Sequence, residues 1–317
     1  MNALVVDDFK KVPSWKSFPE PVAGEGFEVV QVTASALSNL VKAVSNGTHY
    51  SSVASFPFVP GVDGTGKLAD GTRVYFFTPR RPFGAMGEKS LVRRELCVPL
   101  PASLADADAA ALANPLMSSW AALTRRAHFM PGEAVLINGA TGTSGKLAVK
   151  VARQLGASKV VATGRDERVL HSLGADRVVS LSLPAEDLAK AFRAAIHELG
   201  VTVILDYLYG PSAEAILTAI GGPGAKHSDE RVRFVNIGSM GGHTISLPAA
   251  GLRSTGLELM GSGLGSVSDV ELVRSIGEGF AAAEAGRFEV ETVKVKMSEG
   301  EKAWPQDHGK HRLVFTL

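Results

Sequence analysis

The stretch Gly139-Ala140-Thr141-Gly142-Thr143-Ser144-Gly145, directly after the apolar string Ala134–Asn138, carries the clearest chemical signal in the chain. Glycines at this spacing suit a turn that reverses sharply, admits a pyrophosphate close to the backbone, and packs the next helix tightly on its strand. Free N–H groups at that helix start would face the phosphates. The hydroxyls of Thr141, Thr143 and Ser144 add donors. Spacing alone is weak in a chain with 34 glycines. The specificity comes from the strand before the turn, the helix after it and the second strand that follows. A plain glycine-rich strand–helix turn is the competing reading.

The second strand ends at Thr163, followed by Gly164, Arg165, Asp166, Glu167 and Arg168. NAD-binding units place an acidic residue here to hold the ribose 2′-hydroxyl. Gly164 occupies that place and Arg165 follows it. A guanidinium binds a 2′-phosphate through paired hydrogen bonds, whereas a carboxylate would repel it. One such contact is worth roughly 1.5–3 kcal/mol. Thr163, Gly164, Arg165 and Arg168 are therefore read as the adenosine end of an NADPH site. Solvated pairing of Arg165 with Asp166 or Glu167 is the alternative. Gly238-Ser239-Met240 follows the string Arg233–Ile237, and a loop at the carboxyl end of a parallel strand is expected to approach the nicotinamide. Tyr207, just after Asp206, either flanks the cofactor or lies on the surface.

These residues need a framework. From about Ala113 the pattern alternates strand and helix: strands at Ala134–Asn138, Lys159–Thr163, Val178–Leu181, Val201–Asp206, Arg233–Ile237 and Leu257–Met260, with helices at Lys146–Leu155, Asp187–Leu199 and Ser212–Ile220. Such alternation predicts a parallel sheet covered on both faces. Before residue 113, the strings Asn2–Val6, Phe27–Ala34, Thr72–Phe77 and Lys89–Val92 read as strands of a β-rich region. Pro57, Pro60, Gly61, Gly64 and Gly66 punctuate one long connection there. The tail predicts a helix at Asp269–Ala285 and strands near Val290–Lys296 and Arg312–Thr316, returning to the first region. The fold class is α/β, a doubly wound Rossmann domain plus a β-rich domain.

Composition narrows the function classes. With 317 residues the chain suits two domains. Lys plus Arg (33) balances Asp plus Glu (32), so no broad basic field favours nucleic acid. The single cysteine, Cys97, forms no internal disulfide and suits a reducing compartment, most simply the cytoplasm. The start MNALVVDDFKK is not a signal peptide pattern, and no apolar run reaches the length of a membrane span.

The strings PFVPGVDGTG (57–66), NPLMSSWAAL (114–123), PGEAVLINGATGTSG (131–145), and ATGR with LGAD (162–165, 173–176) resemble the medium-chain dehydrogenase/reductase superfamily. Within it the chain is similar to the zinc-free quinone oxidoreductase and enoyl reductase branch, over essentially its whole length. The resemblance implies a GroES-like catalytic domain, residues 1–113 and 264–317, and a Rossmann NADPH-binding domain, residues 114–263, with the active site in the cleft. Zinc-dependent relatives carry Cys, His and Cys around the catalytic metal. Matching segments put Ser38, Val62 and Asn114 there, a poor ligand set. His308 and His311 form an HxxH read as a solvated pair.

Without a Lewis acid the expected reaction is hydride transfer from NADPH to an activated acceptor, a quinone or an alkene conjugated to a carbonyl. Charge then collects on oxygen and needs hydrogen-bond donors or a proton. Tyr50 ends NGTHY, where the resemblance to enoyl reductases implies a tyrosine that assists protonation; packing on a pocket wall is the equal alternative. Ser38 and Asn39 are weaker donor candidates, and His49 reads as a turn residue. Ser118 lies near the start of a predicted helix, where it contacts the cofactor carboxamide or caps the helix. A non-catalytic NADPH-binding sensor or regulatory protein is the alternative to an enzyme. The edge near Leu257–Met260 is a candidate for pairing with a second subunit, and the resemblance implies a homodimer joined there, since an unpaired strand edge is sticky; an edge covered by a loop of the same chain is the alternative.

Overall fold

The computed structural model describes residues 1–222, 228–309 and 311–317. The chain divides into two compact units: Met1–Asn114 with Asp269–Ala283 and Glu289–Leu317, and Pro115–Ser268 with Glu284–Phe288.

The first unit opens with strands β1 (Asn2–Val5), β2 (Ser14–Ser17), β3 (Phe27–Ala36), β4 (Asp63–Lys67), β5 (Arg73–Phe77), β6 (Lys89–Arg93) and β7 (Cys97–Pro99). The second unit holds β8 (Ala134–Asn138), β9 (Lys159–Gly164), β10 (Arg177–Ser180), β11 (Val201–Asp206), β12 (Ser228–Asn236) and β13 (Thr255–Gly261). The tail adds β14 (Thr292–Lys296) and β15 (Arg312–Thr316) to the first unit.

The sheet of the first unit runs β14-β15-β3-β4-β5-β7, with β6 also paired to β3. Its long strand β3 meets β6 over Phe27–Gln31, β4 over Gln31–Ala34 and β15 over Ala34–Ala36. The connection expected around Gly64 and Gly66 is instead the strand β4. An added Cβ would stand 2.9 Å from the Ala34 carbonyl oxygen at Gly64 and 2.3 Å from that of Gln31 at Gly66. Backbones approach so closely there that only glycine fits, and the sequence shows a strand disguised as a turn.

The second unit is one parallel sheet in the order β10-β9-β8-β11-β12-β13. In chain order that is third, second, first, fourth, fifth, sixth, the doubly wound pattern whose order reverses between β8 and β11. Its central strands β8 (AVLIN) and β11 (VTVILD) are nearly continuous apolar runs because both faces are covered. Helix Thr143–Gln154 buries Leu147, Ala148, Val151 and Ala152, and helix Ala185–Leu199 buries Leu188, Phe192, Ala195 and Ile196. Each set follows the helical period. Gly200, in the left-handed conformation (φ 61°), ends the second helix with its N–H on the Ile196 carbonyl. No helix among the described residues is long and apolar enough to cross a membrane.

One expected helix start is corrected. The helix carrying Ser118 runs Asp106–Ala121, with Pro115 inside it. Proline reads as a boundary because it lacks an N–H and crowds the preceding turn. Here the acidic first turn, Asp106 and Asp108, and an alanine-rich body carry the helix through it. Ser118 is thus a residue of the helix body and caps nothing: its Oγ donates to the Pro115 carbonyl at 2.8 Å.

Candidate functional site

The glycine turn leaves β8 at its carboxyl end. Gly139 takes φ +93°, and a Cβ there would meet Leu208 Cγ at 2.9 Å. Gly145 lies on the turn itself, where an added Cβ would be 2.2 Å from the Gly139 carbonyl oxygen. Helix Thr143–Gln154 begins after Gly142 with no side-chain cap, so its first N–H groups are left to other acceptors.

A row of polar side chains crosses the sheet beneath this turn. Thr163, Asn138, Asp206 and Asn236 are register partners on β9, β8, β11 and β12. The first three are fully buried. Thr163 Oγ1 donates to Asn138 Oδ1 at 2.8 Å and accepts the Gly139 N–H at 3.2 Å. Asn138 Nδ2 donates to Asp206 Oδ1 and to Ser212 Oγ, each at 2.8 Å. Asn236 Nδ2 donates to Asp206 Oδ2 at 3.1 Å and to the Gly238 carbonyl at 2.8 Å. Asp206 also accepts the N–H groups of Leu208 and Tyr209, at 3.1 and 3.0 Å to Oδ1. Of this row only Thr163 is singled out as a ligand residue from sequence. The readable signal is that Asn138, Asp206 and Asn236 each end an apolar strand with a polar side chain.

The turn and the end of β9 come together. The Ala140 N–H donates to the Thr163 carbonyl at 2.7 Å. Thr141 packs against Gly164, where a Cβ would lie 2.4 Å from Thr141 Cγ2. Arg165 and Arg168 are exposed. Asp166 caps helix Glu167–Ser172, its Oδ1 accepting the Val169 N–H at 3.1 Å. The loop Gly238-Ser239-Met240 adjoins the β11 end: the Gly238 N–H reaches the Asp206 carbonyl at 3.2 Å, and Ser239 and Met240 are exposed.

Tyr207 is not the surface tyrosine of the alternative reading. It is partly buried, its Oη is 3.4 Å from Ser118 Oγ, and burial pushes its phenol above the ordinary tyrosine range. Tyr209 adopts φ 59°, ψ −158°, a region that favours glycine.

In the first unit, Ser38 is buried and caps helix Asn39–Ser45, its Oγ accepting the Val41 N–H at 3.1 Å. Asn39 is exposed at the helix start, and Tyr50 is 76% exposed in the turn beyond it. The His49 ring lies 4.0 Å from that of Tyr50; its Nδ1 accepts the Ser51 N–H at 3.2 Å, and burial lowers its pKa. Cys97 is half-buried, and burial pushes its thiol up to about 11. His308 and His311 turn to backbone carbonyls, of Ala303 at 3.1 Å and His308 at 3.3 Å. Among the described residues no three His, Cys, Asp or Glu side chains stand together as a metal site requires.

No protein-family model matches the chain. A probable NADPH-dependent quinone reductase of Emericella nidulans, tdiC, is 30% identical over 324 residues, covering 84% of this chain and 87% of that protein. This chain belongs to the quinone oxidoreductase-like branch of the medium-chain dehydrogenase/reductase superfamily. Solved structures share the fold end to end. A mycobacterial quinone oxidoreductase superposes with a TM-score of 0.84 at 18% identity, and the quinone oxidoreductase of Thermus thermophilus with 0.78 at 24%, each covering 100% of both chains.

In this quinone oxidoreductase-like chain the glycine turn passes a test of fit for a dinucleotide. Among the described residues nothing demands glycine at residue 142: its φ is −79°, and an added Cβ would meet only the Gly139 carbonyl oxygen at 3.8 Å, an ordinary contact. A phosphate drawn to the uncapped N–H groups of Thr143, Ser144 and Gly145 would demand it.

Proposed function

We propose that the chain is a zinc-independent, NADPH-dependent oxidoreductase whose acceptor is a quinone or an alkene conjugated to a carbonyl. The observation that carries this reading is the uncapped helix start beside open space at Gly142, with exposed Arg165 one residue beyond Gly164. The name of the Emericella nidulans relative supports NADPH and a quinone.

Ala140, Thr141, Gly142, Thr143, Ser144 and Gly145 hold the pyrophosphate through backbone N–H groups and hydroxyls. Arg165, with Arg168 nearby in sequence, holds the 2′-phosphate, since Asp166 is engaged as a helix cap. Gly238, Ser239, Met240 and Ser118 serve the nicotinamide half. When bound, NADPH supplies the hydride. Tyr50 donates a hydrogen bond or proton to the acceptor oxygen, with Ser38 and Asn39 as further donors. Ser38, Val62 and Asn114, where zinc-dependent relatives carry ligands, favour chemistry without zinc.

The working form is a homodimer in the cytoplasm, joined along β13, whose outer edge pairs with no strand among the described residues and exposes Leu259. Light scattering that returns a monomer would remove the dimer from the proposal.

The test is titration with NADPH and NADH, then addition of a quinone and of an α,β-unsaturated ketone while cofactor absorbance is followed. NADPH binding with oxidation by one acceptor supports the reading and identifies the acceptor class. Binding without oxidation by either points to the sensor alternative. Failure to bind either nucleotide overturns it.

A further inference from the structure

We infer that Asp206 is the positioning residue that locks the cofactor-facing loops of the second unit to one another. The inference rests on the NADPH reading above and extends it to a residue that touches no ligand.

Each loop that leaves the centre of the sheet is tied to this one side chain or its own carbonyl. The turn Tyr207–Tyr209 is held by the Leu208 and Tyr209 N–H groups on Oδ1, with Tyr209 also on Oδ2 at 3.2 Å. The loop after β12 is held by Asn236 on Oδ2, and by the N–H groups of Ile237 and Gly238 on the Asp206 carbonyl at 2.7 and 3.2 Å. The glycine turn is held at one remove. Asp206 Oδ1 fixes the Asn138 amide, whose Oδ1 then faces the Thr163 hydroxyl, which accepts the Gly139 N–H.

The chemistry of the row has one direction. Every hydrogen bond to the Asp206 side chain brings an N–H donor. An acceptor-only group is needed there, and Asn138 can satisfy both neighbours with its amide in one orientation. Asn at 206 keeps the shape, but places an NH2 among donors. Asn138 is then released to turn over and present its Nδ2 to the Thr163 hydroxyl, which loses its acceptor, must rotate, and holds the Gly139 N–H less firmly. Thr163 belongs to this relay, but the Arg165 guanidinium, exposed beyond Gly164 at the end of β9, makes no hydrogen bond in it, so its hold on the 2′-phosphate should persist when the relay is cut.

The experiment compares wild type and D206N in binding of NADPH and of 2′-AMP, which carries the adenosine 2′-phosphate but no pyrophosphate. Amide hydrogen exchange is followed in the ligand-free protein. The expected result is NADPH affinity lowered roughly 10- to 100-fold, 2′-AMP affinity unchanged, and faster exchange at Leu208, Tyr209 and Gly139. Unchanged NADPH affinity overturns the inference, as does unchanged exchange at Gly139. Equal loss of both ligands overturns it too, because Asp206 would then support the whole unit. A wild type that binds neither ligand overturns the NADPH reading itself. Should D206N not fold, N236A removes the side-chain tie from Asp206 to the Gly238 carbonyl and leaves the Ile237 and Gly238 N–H groups on the Asp206 carbonyl: weaker NADPH binding with intact 2′-AMP binding is expected, and unchanged NADPH binding refutes the proposal.

Discussion

Thr141 occupies the space that a side chain at residue 164 would need, with its Cγ2 2.4 Å from an added Cβ and its Oγ1 at 3.0 Å. The glycine turn and the end of β9 are therefore matched as a pair. The acidic residue of NAD-binding units cannot be grafted onto this chain alone. G164D should lower affinity for NADPH through charge and clash, yet gain little for NADH. G164D with T141A should recover NADH binding, since alanine removes both crowding atoms. Nucleotide titration of the single and double variants checks this; equal NADH affinity in the two would show that Thr141 yields freely.

Arg165 is the second test of nucleotide choice. R165Q should weaken NADPH binding by roughly 10- to 100-fold and leave NADH unchanged, because only NADPH carries the 2′-phosphate. Thermal stability should not move, as the side chain is exposed. Equal losses for both nucleotides would place Arg165 elsewhere in the site.

These two predictions draw on residues that could be read in the sequence, and the reason is physical. A strand buried on both faces needs a continuous apolar run, so β8, β11 and β15 emerge from the sequence with the bounds they have in the structure. The glycine turn is legible because its backbone demands are specific. The polar row is not, since Thr163, Asn138, Asp206 and Asn236 align only once strand register is known. Nor is β4, whose Gly64 and Gly66 answer to the carbonyls of β3. Pro115 hides the true start of helix Asp106–Ala121 for a different reason: one local signal, the proline, is outweighed by others, the acidic first turn and the alanine-rich body.

A substitution at Tyr50 tests the two acceptor classes against each other. Y50F should leave the fold intact, the side chain being 76% exposed. If the phenol assists proton delivery, Y50F should lower kcat on an unsaturated ketone by about tenfold or more and change KM little. Equal kcat for Y50F and wild type on both acceptors would reduce Tyr50 to a wall residue.

The first unit has a pH-sensitive core. Asp63 on β4 is fully buried, Tyr75 on β5 donates to its Oδ2 at 3.0 Å, and Arg312 on β15 is the cation that acts on it. Of the nearby helix acids, Asp106 is paired with Arg73. Burial raises the Asp63 carboxyl from 3.8 to about 6, against the pull of Arg312 and Tyr75. The folded state then holds a proton that the unfolded chain has released. This contribution is fully present below about pH 4 and lost as pH rises through about 6, a change of up to about 3 kcal/mol. The unfolding free energy of D63N minus that of wild type should therefore rise across that window in denaturant titrations. A flat difference would show that Asp63 does not titrate there.

The pairing of β15 with β3, which sets Val314 beside Ala36, has a consequence for biosynthesis. The sheet of the second unit is assembled from one contiguous stretch, so its strands can find each other while the rest of the chain is still being made. The first unit begins earlier but must wait for β15, which follows the whole sheet of the second unit in the sequence, a loop closure of very high contact order. The order of emergence is thus inverted in the order of completion: the part synthesised first is finished last, and until then the Ala34–Ala36 end of β3 lacks its partner on one edge.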